Sequence, residues 1–273
     1  MKWFRRIIVG VIALMVILYG GVLVYFYLNQ RTLQYERGGE VTALGATSLS
    51  GAEAVSIPTG DGQQLAGWYQ APQPGKPLIV YYRGNSGSFT REHQRYEAFV
   101  ADGYGFVAFD YRGFPGSPGE LTQAHLLEDS LAAFDWAAAK GFPLLVWGRS
   151  LGSGAASYVL GQRDADALWL ETPYLSFVRI GLDHYPYLPV GLLLLDQYPQ
   201  EQWIKDVKEP VFVAHGTADR TIAVYEAQAL YDLVPNKAGI WIEPGADHDD
   251  LWARGEWDKA RAFFVAEEGK LGR

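Results

Sequence analysis

The chain opens on a stretch with no polar rhythm. From Ile7 to Leu28 no residue is charged, and at about 1.5 Å per helical residue this run reaches about 33 Å, enough to cross the hydrocarbon of a bilayer. A buried core helix would show a polar stripe. A cleaved signal peptide would carry a shorter apolar region followed by small residues, and Phe26-Tyr27-Leu28-Asn29-Gln30-Arg31 offers no such site. The pattern predicts an uncleaved transmembrane anchor over residues 1–29. Gly38 to Gly51 then mixes small and polar residues without a period, which predicts a linker over residues 30–52.

From residue 53 the texture changes. Ala54–Ile57 and Leu65–Gln70 flank the turn cluster Thr59-Gly60-Asp61-Gly62, so an antiparallel hairpin opens the domain. Short apolar runs follow at Leu78–Tyr82, Phe106–Asp110, Leu144–Trp147, Ala167–Leu170, Val211–Ala214 and Gly239–Ile242, as expected of strands buried on both faces. Helix-length segments separate them at Phe89–Ala101, Leu121–Ala139, Leu151–Gln162, Ala223–Leu233 and Asp250–Glu267. The alternation predicts an α/β fold over residues 53–273, with a mostly parallel central sheet and right-handed crossovers. The gap at about 173–210 is too long for one crossover. It is cut by Pro173, Pro186, Pro189, Pro199 and Pro210 and is rich in Leu and aromatic residues, which predicts a small inserted cap.

Charge narrows the partners. Three of the 23 basic residues and none of the 31 acidic ones lie in the first thirty positions, so the remainder carries a formal −11. That excess disfavours nucleic acid as a partner. Lys2, Arg5 and Arg6 precede the apolar run while Arg31 and Arg37 follow it. The bias predicts a cytoplasmic N-terminus, with the bulk of this single-pass protein on the periplasmic, luminal or extracellular side. Cysteine is absent, which removes disulfides, thiolate zinc sites and a cysteine nucleophile.

The candidate chemistry begins at Gly148-Arg149-Ser150-Leu151-Gly152, a G-x-S-x-G between an apolar strand and a small-residue helix start. A nucleophile on so sharp a turn needs glycine two residues before and two after, because side chains there would strike the neighbouring strand and helix. Asp219 follows the strand Val211–Ala214, and His248 follows Gly239–Ile242. The order Ser, Asp, His puts all three beyond the carboxyl ends of parallel strands, where open α/β sheets bind ligands. His248 would take the proton of Ser150, and Asp219 would orient His248. His215 reads as a hydrogen-bonded structural residue, and His184 as an exposed residue of the cap. Asp247-His248-Asp249-Asp250 lacks a second histidine at ligand spacing, so neither a metal nor another cofactor is expected.

These residues resemble the α/β-hydrolase superfamily, and within it the membrane-anchored single-domain serine hydrolases of the ABHD type. The resemblance rests on Arg83-Gly84-Asn85-Ser86-Gly87, Asp110-Tyr111-Arg112-Gly113, Gly148–Gly152, His215–Asp219 and Gly245–His248 occurring in family order. It implies an oxyanion hole formed by the backbone N–H groups of Asn85 and Leu151. The family usually has His where this chain has Arg83, a departure that bears on loop packing more than on activity. The reading is a serine hydrolase cleaving an ester or thioester with an apolar acyl or alkyl part. Its expected substrate is a small-molecule or lipid-like ester, held by cap residues Tyr174, Phe177, Leu188 and Leu192. A serine peptidase of the same fold and a non-catalytic anchored scaffold are the alternatives. Gly152-x-Gly154-x-x-Ser157 with Glu171 fits a dinucleotide site poorly, since the third glycine is missing. A dehalogenase or epoxide hydrolase would carry Asp in place of Ser150.

Overall fold

The computed structural model describes residues 2–270. The apolar run lies in helix α1 (Lys2–Gln34), and the opening hairpin is β1 (Glu53–Pro58) with β2 (Gln64–Gln70). There follow β3 (Leu78–Tyr82), α2 (His93–Ala101), β4 (Gly105–Phe109), α3 (Gln123–Ala138), β5 (Leu144–Arg149), α4 (Leu151–Leu160) and β6 (Ala167–Glu171). After a segment of three short helices, α5 (Phe177–His184), α6 (Val190–Leu193) and α7 (Gln200–Trp203), the chain returns through β7 (Val211–Gly216), α8 (Val224–Leu233), β8 (Lys237–Glu243) and α9 (Glu256–Lys270).

The strands form one eight-stranded sheet in the order β1-β2-β4-β3-β5-β6-β7-β8. The pairs β1–β2 and β2–β4 are antiparallel, and all the others are parallel. This is the α/β-hydrolase fold. Every residue of β3, β4 and β6 is buried, so these strands read as continuous apolar runs rather than alternations. Alternate residues divide between two cores. Leu78, Val80 and Tyr82 of β3 face a cluster with α3, α4 and α8, while Ile79 and Tyr81 face one with α2 and α9.

The structure departs from the sequence pattern at two places. Helix α9 begins at Glu256 rather than Asp250, because residues 247–255 are folded into turns that hold His248: Asp247 N–H donates to Asp250 Oδ2 (3.0 Å), and Gly255 turns at φ +87°. Helix α1 continues past Leu28 because its last turns find polar partners on the segment before β7. Gln30 Nε2 donates to the Leu193 carbonyl (3.1 Å), Gln30 Oε1 accepts from Leu195 N–H (2.7 Å), and Arg31 Nε reaches Asp196 Oδ2 (2.9 Å). Tyr35 is buried just beyond, with its hydroxyl on Asp196 (3.1 Å) and Tyr198 (2.8 Å), and Leu49 is buried as well. Residues 30–52, expected as a linker, thus include a helix end and two residues packed into the body.

Beneath the carboxyl ends of β5 and β6 lies a buried ionic cluster. Arg95 donates to both Glu171 oxygens (2.8 and 2.7 Å), Arg149 reaches Glu171 (3.0 Å) and Glu92 (3.2 Å), and Glu256 accepts from Trp169 Nε1 (3.0 Å). Burial, and then repulsion by Glu171, push the Glu256 carboxyl up to about 8, against the attraction of Arg95. A neutral Glu256 leaves two arginines balanced by Glu92 and Glu171. Because its folded-state pKa lies above the ordinary 4.5, ionisation of Glu256 opposes folding progressively as pH rises from about 4.5 to about 8. Glu256→Gln is therefore expected to match the parent in thermal melts near the low end of that window and to gain on it up to the high end. A difference independent of pH would show that Glu256 is not held protonated.

Candidate active site

The turn from β5 into α4 places Ser150 at its apex with φ +49° and ψ −119°, a conformation that L-residues other than glycine rarely adopt. The surroundings impose it. Ser150 N–H donates to the Glu171 carbonyl (2.9 Å), and the Ser150 carbonyl accepts from Ser153 N–H (2.8 Å) and Ser153 Oγ (2.6 Å). A Cβ at Gly152 would stand 2.1 Å from the Tyr82 carbonyl oxygen, and one at Gly148 would stand 2.7 Å from Ala156 Cβ. Glycine at both positions lets α4 start directly against β3 and β5.

Two loops bring partners to this turn. His248 Nε2 lies 2.9 Å from Ser150 Oγ, and its Nδ1 lies 2.7 Å from Asp219 Oδ2. The other oxygen of Asp219 accepts the backbone N–H groups of Thr221 and Ile222, each at 2.8 Å. His215 approaches Asp219 Oδ2 at 3.2 Å and also contacts the Ile222 carbonyl (2.9 Å). Burial alone would raise the Asp219 carboxyl, but hydrogen bonds from His215, His248 and Ile222 N–H outweigh it and hold the group well below the usual carboxylate range. Asp219 is therefore an anion at any physiological pH. Its hydrogen bond fixes the proton on His248 Nδ1, leaving Nε2 free to accept from Ser150. His215 is wholly buried and serves as a prop for Asp219 rather than as a base.

Leu151, the first residue of α4, has an N–H that the helix itself leaves without a partner. Asn85, Ser150 and Leu151 share the wall of one cavity. The loop carrying Asn85 is tied from several sides. Arg83, paired with Asp110 at 3.3 Å, donates to the carbonyls of Ser86 (2.8 Å) and Gly87. Asp110 in turn accepts from Ser88 Oγ (2.7 Å) and Phe89 N–H (2.9 Å). The Asn85 side chain donates to the Gln34 carbonyl at the end of α1 (2.7 Å), and Glu36 bridges Ser86.

The cavity beside Ser150 has a volume of about 440 Å³. Phe177, Ile180, Leu188, Val190, Leu193 and Leu194 supply apolar lining, and Phe26 and Leu33 of α1 line it as well. Of the four residues expected in the pocket, Phe177 and Leu188 line it. Tyr174 and Leu192 do not. Tyr174 is fully buried, with its hydroxyl against Leu151 O (3.4 Å) and its ring filling the space over Gly154. Leu192 points away and is 88% exposed. His184 contacts the Thr221 carbonyl (3.0 Å) and is exposed. Among the described residues no cluster of acidic or imidazole side chains is arranged to hold a metal.

No family model matches the chain. An uncharacterized protein of Mycobacterium tuberculosis is 30% identical over 272 residues, covering 96% of each chain. The human protein ABHD12B is 29% identical over 209 residues, 66% of this chain and 58% of its own length. This chain belongs to the α/β-hydrolase superfamily. Another α/β-hydrolase relative, the lysophosphatidylserine lipase ABHD12 of Danio rerio, is 29% identical over 198 residues, 64% of this chain and 52% of its own. An esterase of Pyrococcus furiosus shares the fold with a TM-score of 0.67 at 21% identity, over 84% of this chain and 95% of its own. In this α/β-hydrolase, Arg83 replaces the usual histidine and takes up the packing of the Asn85 loop through Asp110.

The contribution of α1 is what sequence reasoning missed. Phe26, Leu33, Gln34 and Glu36 are far from Ser150 in the chain, and the one signal in the sequence is the polar Asn29–Gln34 stretch that follows the apolar run. The tie from Asn85 to Gln34 generates a test. Asn85→Ala keeps the backbone N–H but releases the loop from the helix end, and is expected to lower kcat on a model ester roughly tenfold with little change in Tm. An unchanged kcat would show that Arg83 and the Glu36 bridge hold the loop without it.

Proposed function

We propose that the chain is a membrane-anchored serine esterase acting on lipid-like esters with an apolar acyl or alkyl part. The observation that carries this reading is the contact series Ser150 Oγ, His248, Asp219 opening onto a largely apolar cavity. His248 Nε2 takes the proton as Ser150 Oγ attacks the ester carbonyl. The resulting oxyanion is held by the N–H groups of Leu151 and Asn85, where donors stabilise charge that exists only after attack. Collapse expels the alcohol, which takes the proton from His248, and leaves an acyl-Ser150. Water activated by the same histidine then releases the acid.

The relatives support the ester reading, since one is a lysophosphatidylserine lipase. Helix α1 fits a single-pass anchor: it is long and apolar, and its most apolar 18-residue window is unburied. With more positive charge before its apolar run than after it, the hydrolase domain lies on the non-cytoplasmic side. Residues 173–210 act as the cap that closes one wall of the cavity.

Ser150→Ala and His248→Ala are each expected to reduce turnover by about four orders of magnitude or more with the fold intact, and Asp219→Asn severely, because the three act as a unit. Near-normal turnover in any of them would overturn the assignment. For substrate class, each buried methylene is worth about 0.8 kcal/mol, or up to about fourfold in kcat/KM. A series of nitrophenyl esters from acetyl to octanoyl should therefore rise in kcat/KM. A flat or falling series would remove the apolar-acyl assignment while leaving the triad untouched.

A further inference from the structure

The segment around α6 packs along α1 much further toward the N-terminus than a domain standing clear of a membrane could. Tyr19 donates to the Tyr187 carbonyl (2.7 Å), the Phe26 and Tyr185 rings meet at 5.7 Å, and Gln30 bonds Leu193 and Leu195. A hydrocarbon core of about 30 Å needs about 20 helical residues. Begun at Ile7, it ends at Phe26. Begun at Trp3, with Arg5 and Arg6 snorkelling back to the headgroups, it still ends at Val22, beyond Tyr19. Tilt lengthens the stretch inside the core and moves the boundary further toward Gln34. In every case Tyr187 lies beside a part of α1 that is inside the leaflet.

The chemistry of the segment agrees with that position. From Tyr185 to Leu195 there is no charged residue. Leu192 is 88% exposed, Tyr187 64% and Leu195 53%, large apolar groups of the kind that mark a membrane or partner surface. The charged residue just before it is engaged with the body of the domain: Asp183 accepts from Tyr225 OH (2.6 Å). Tyr185, whose ring meets Phe26 where the core begun at Ile7 ends, suits a headgroup boundary. Phe26 and Leu33 of the anchor and Tyr185, Leu193 and Leu194 of this tip are together part of the cavity wall.

We infer that the tip Tyr185–Leu195 is immersed in the same leaflet as the C-terminal half of α1, so that the cap is a second membrane contact and the Ser150 cavity borders lipid rather than water. The inference rests on reading α1 as a membrane anchor. The chain has no cysteine, so single-cysteine variants of the full-length protein in phosphatidylcholine vesicles carry a nitroxide at one known place. Labels at Leu192→Cys and Tyr187→Cys are to be compared with Ile17→Cys on the anchor and Val265→Cys on α9, both exposed in the structure. Accessibility to oxygen and to a water-soluble nickel chelate is read at each site. The expected result is that the labels at 192 and 187 group with that at 17, favouring oxygen, while the label at 265 favours nickel. If 192 and 187 group with 265 while 17 favours oxygen, the tip is in water and the inference fails with the anchor intact. If 17 also favours nickel, the anchor reading fails and the inference with it.

Discussion

The site depends on one strained residue. Ser150 sits in a backbone conformation that costs on the order of 1–3 kcal/mol, and it persists because helix α4 is pressed against β3 and β5 through Gly152 and Gly148. A side chain at Gly152 would occupy the Tyr82 carbonyl. That close approach leaves Ser150 and Leu151 together on the wall of the cavity. Asp219 and His248 follow β7 and β8, and the parallel order β5-β6-β7-β8 puts both on the same sheet edge as Ser150. The Glu171 carbonyl that accepts from Ser150 N–H belongs to a residue whose carboxylate is clamped by Arg95 and Arg149. The buried ionic cluster is thereby a footing for the turn.

Two histidines approach Asp219, and their surroundings give them different work. His215 has no exposed surface and is engaged by Ile222 and Asp219, so it is closed off from solvent. His248 is partly exposed and spans from Asp219 to Ser150. One contacts only the acid loop, and the other bridges the carboxylate and the hydroxyl.

Much of this was legible in the sequence for identifiable reasons. β3, β4 and β6 announce themselves as short apolar runs because both their faces are covered. Ser150, Asp219 and His248 are legible because each follows such a run and the elbow requires its glycines. The termini of α1 and α9 were not, since Gln30, Arg31 and Gln34 extend their helix only by meeting residues 193–196, and the turns after Asp247 exist to seat His248. Within the segment before β7, apolar density marks a cap but does not say which way each residue faces. Tyr174 turns into the core and Leu192 turns out, whereas Phe177 and Leu188 face the cavity. The lining supplied by Phe26 and Leu33 is a tertiary contact with no local pattern, and it makes α1 part of the cavity.

The proposed function requires Ser150 to be a nucleophile activated by His248. Its most direct measurement is peptide mapping of the folded full-length protein after reaction with a fluorophosphonate. One adduct is expected, on the peptide containing Ser150, formed far more slowly in His248→Ala. An unlabelled but folded protein, or an adduct on a different serine, would contradict it.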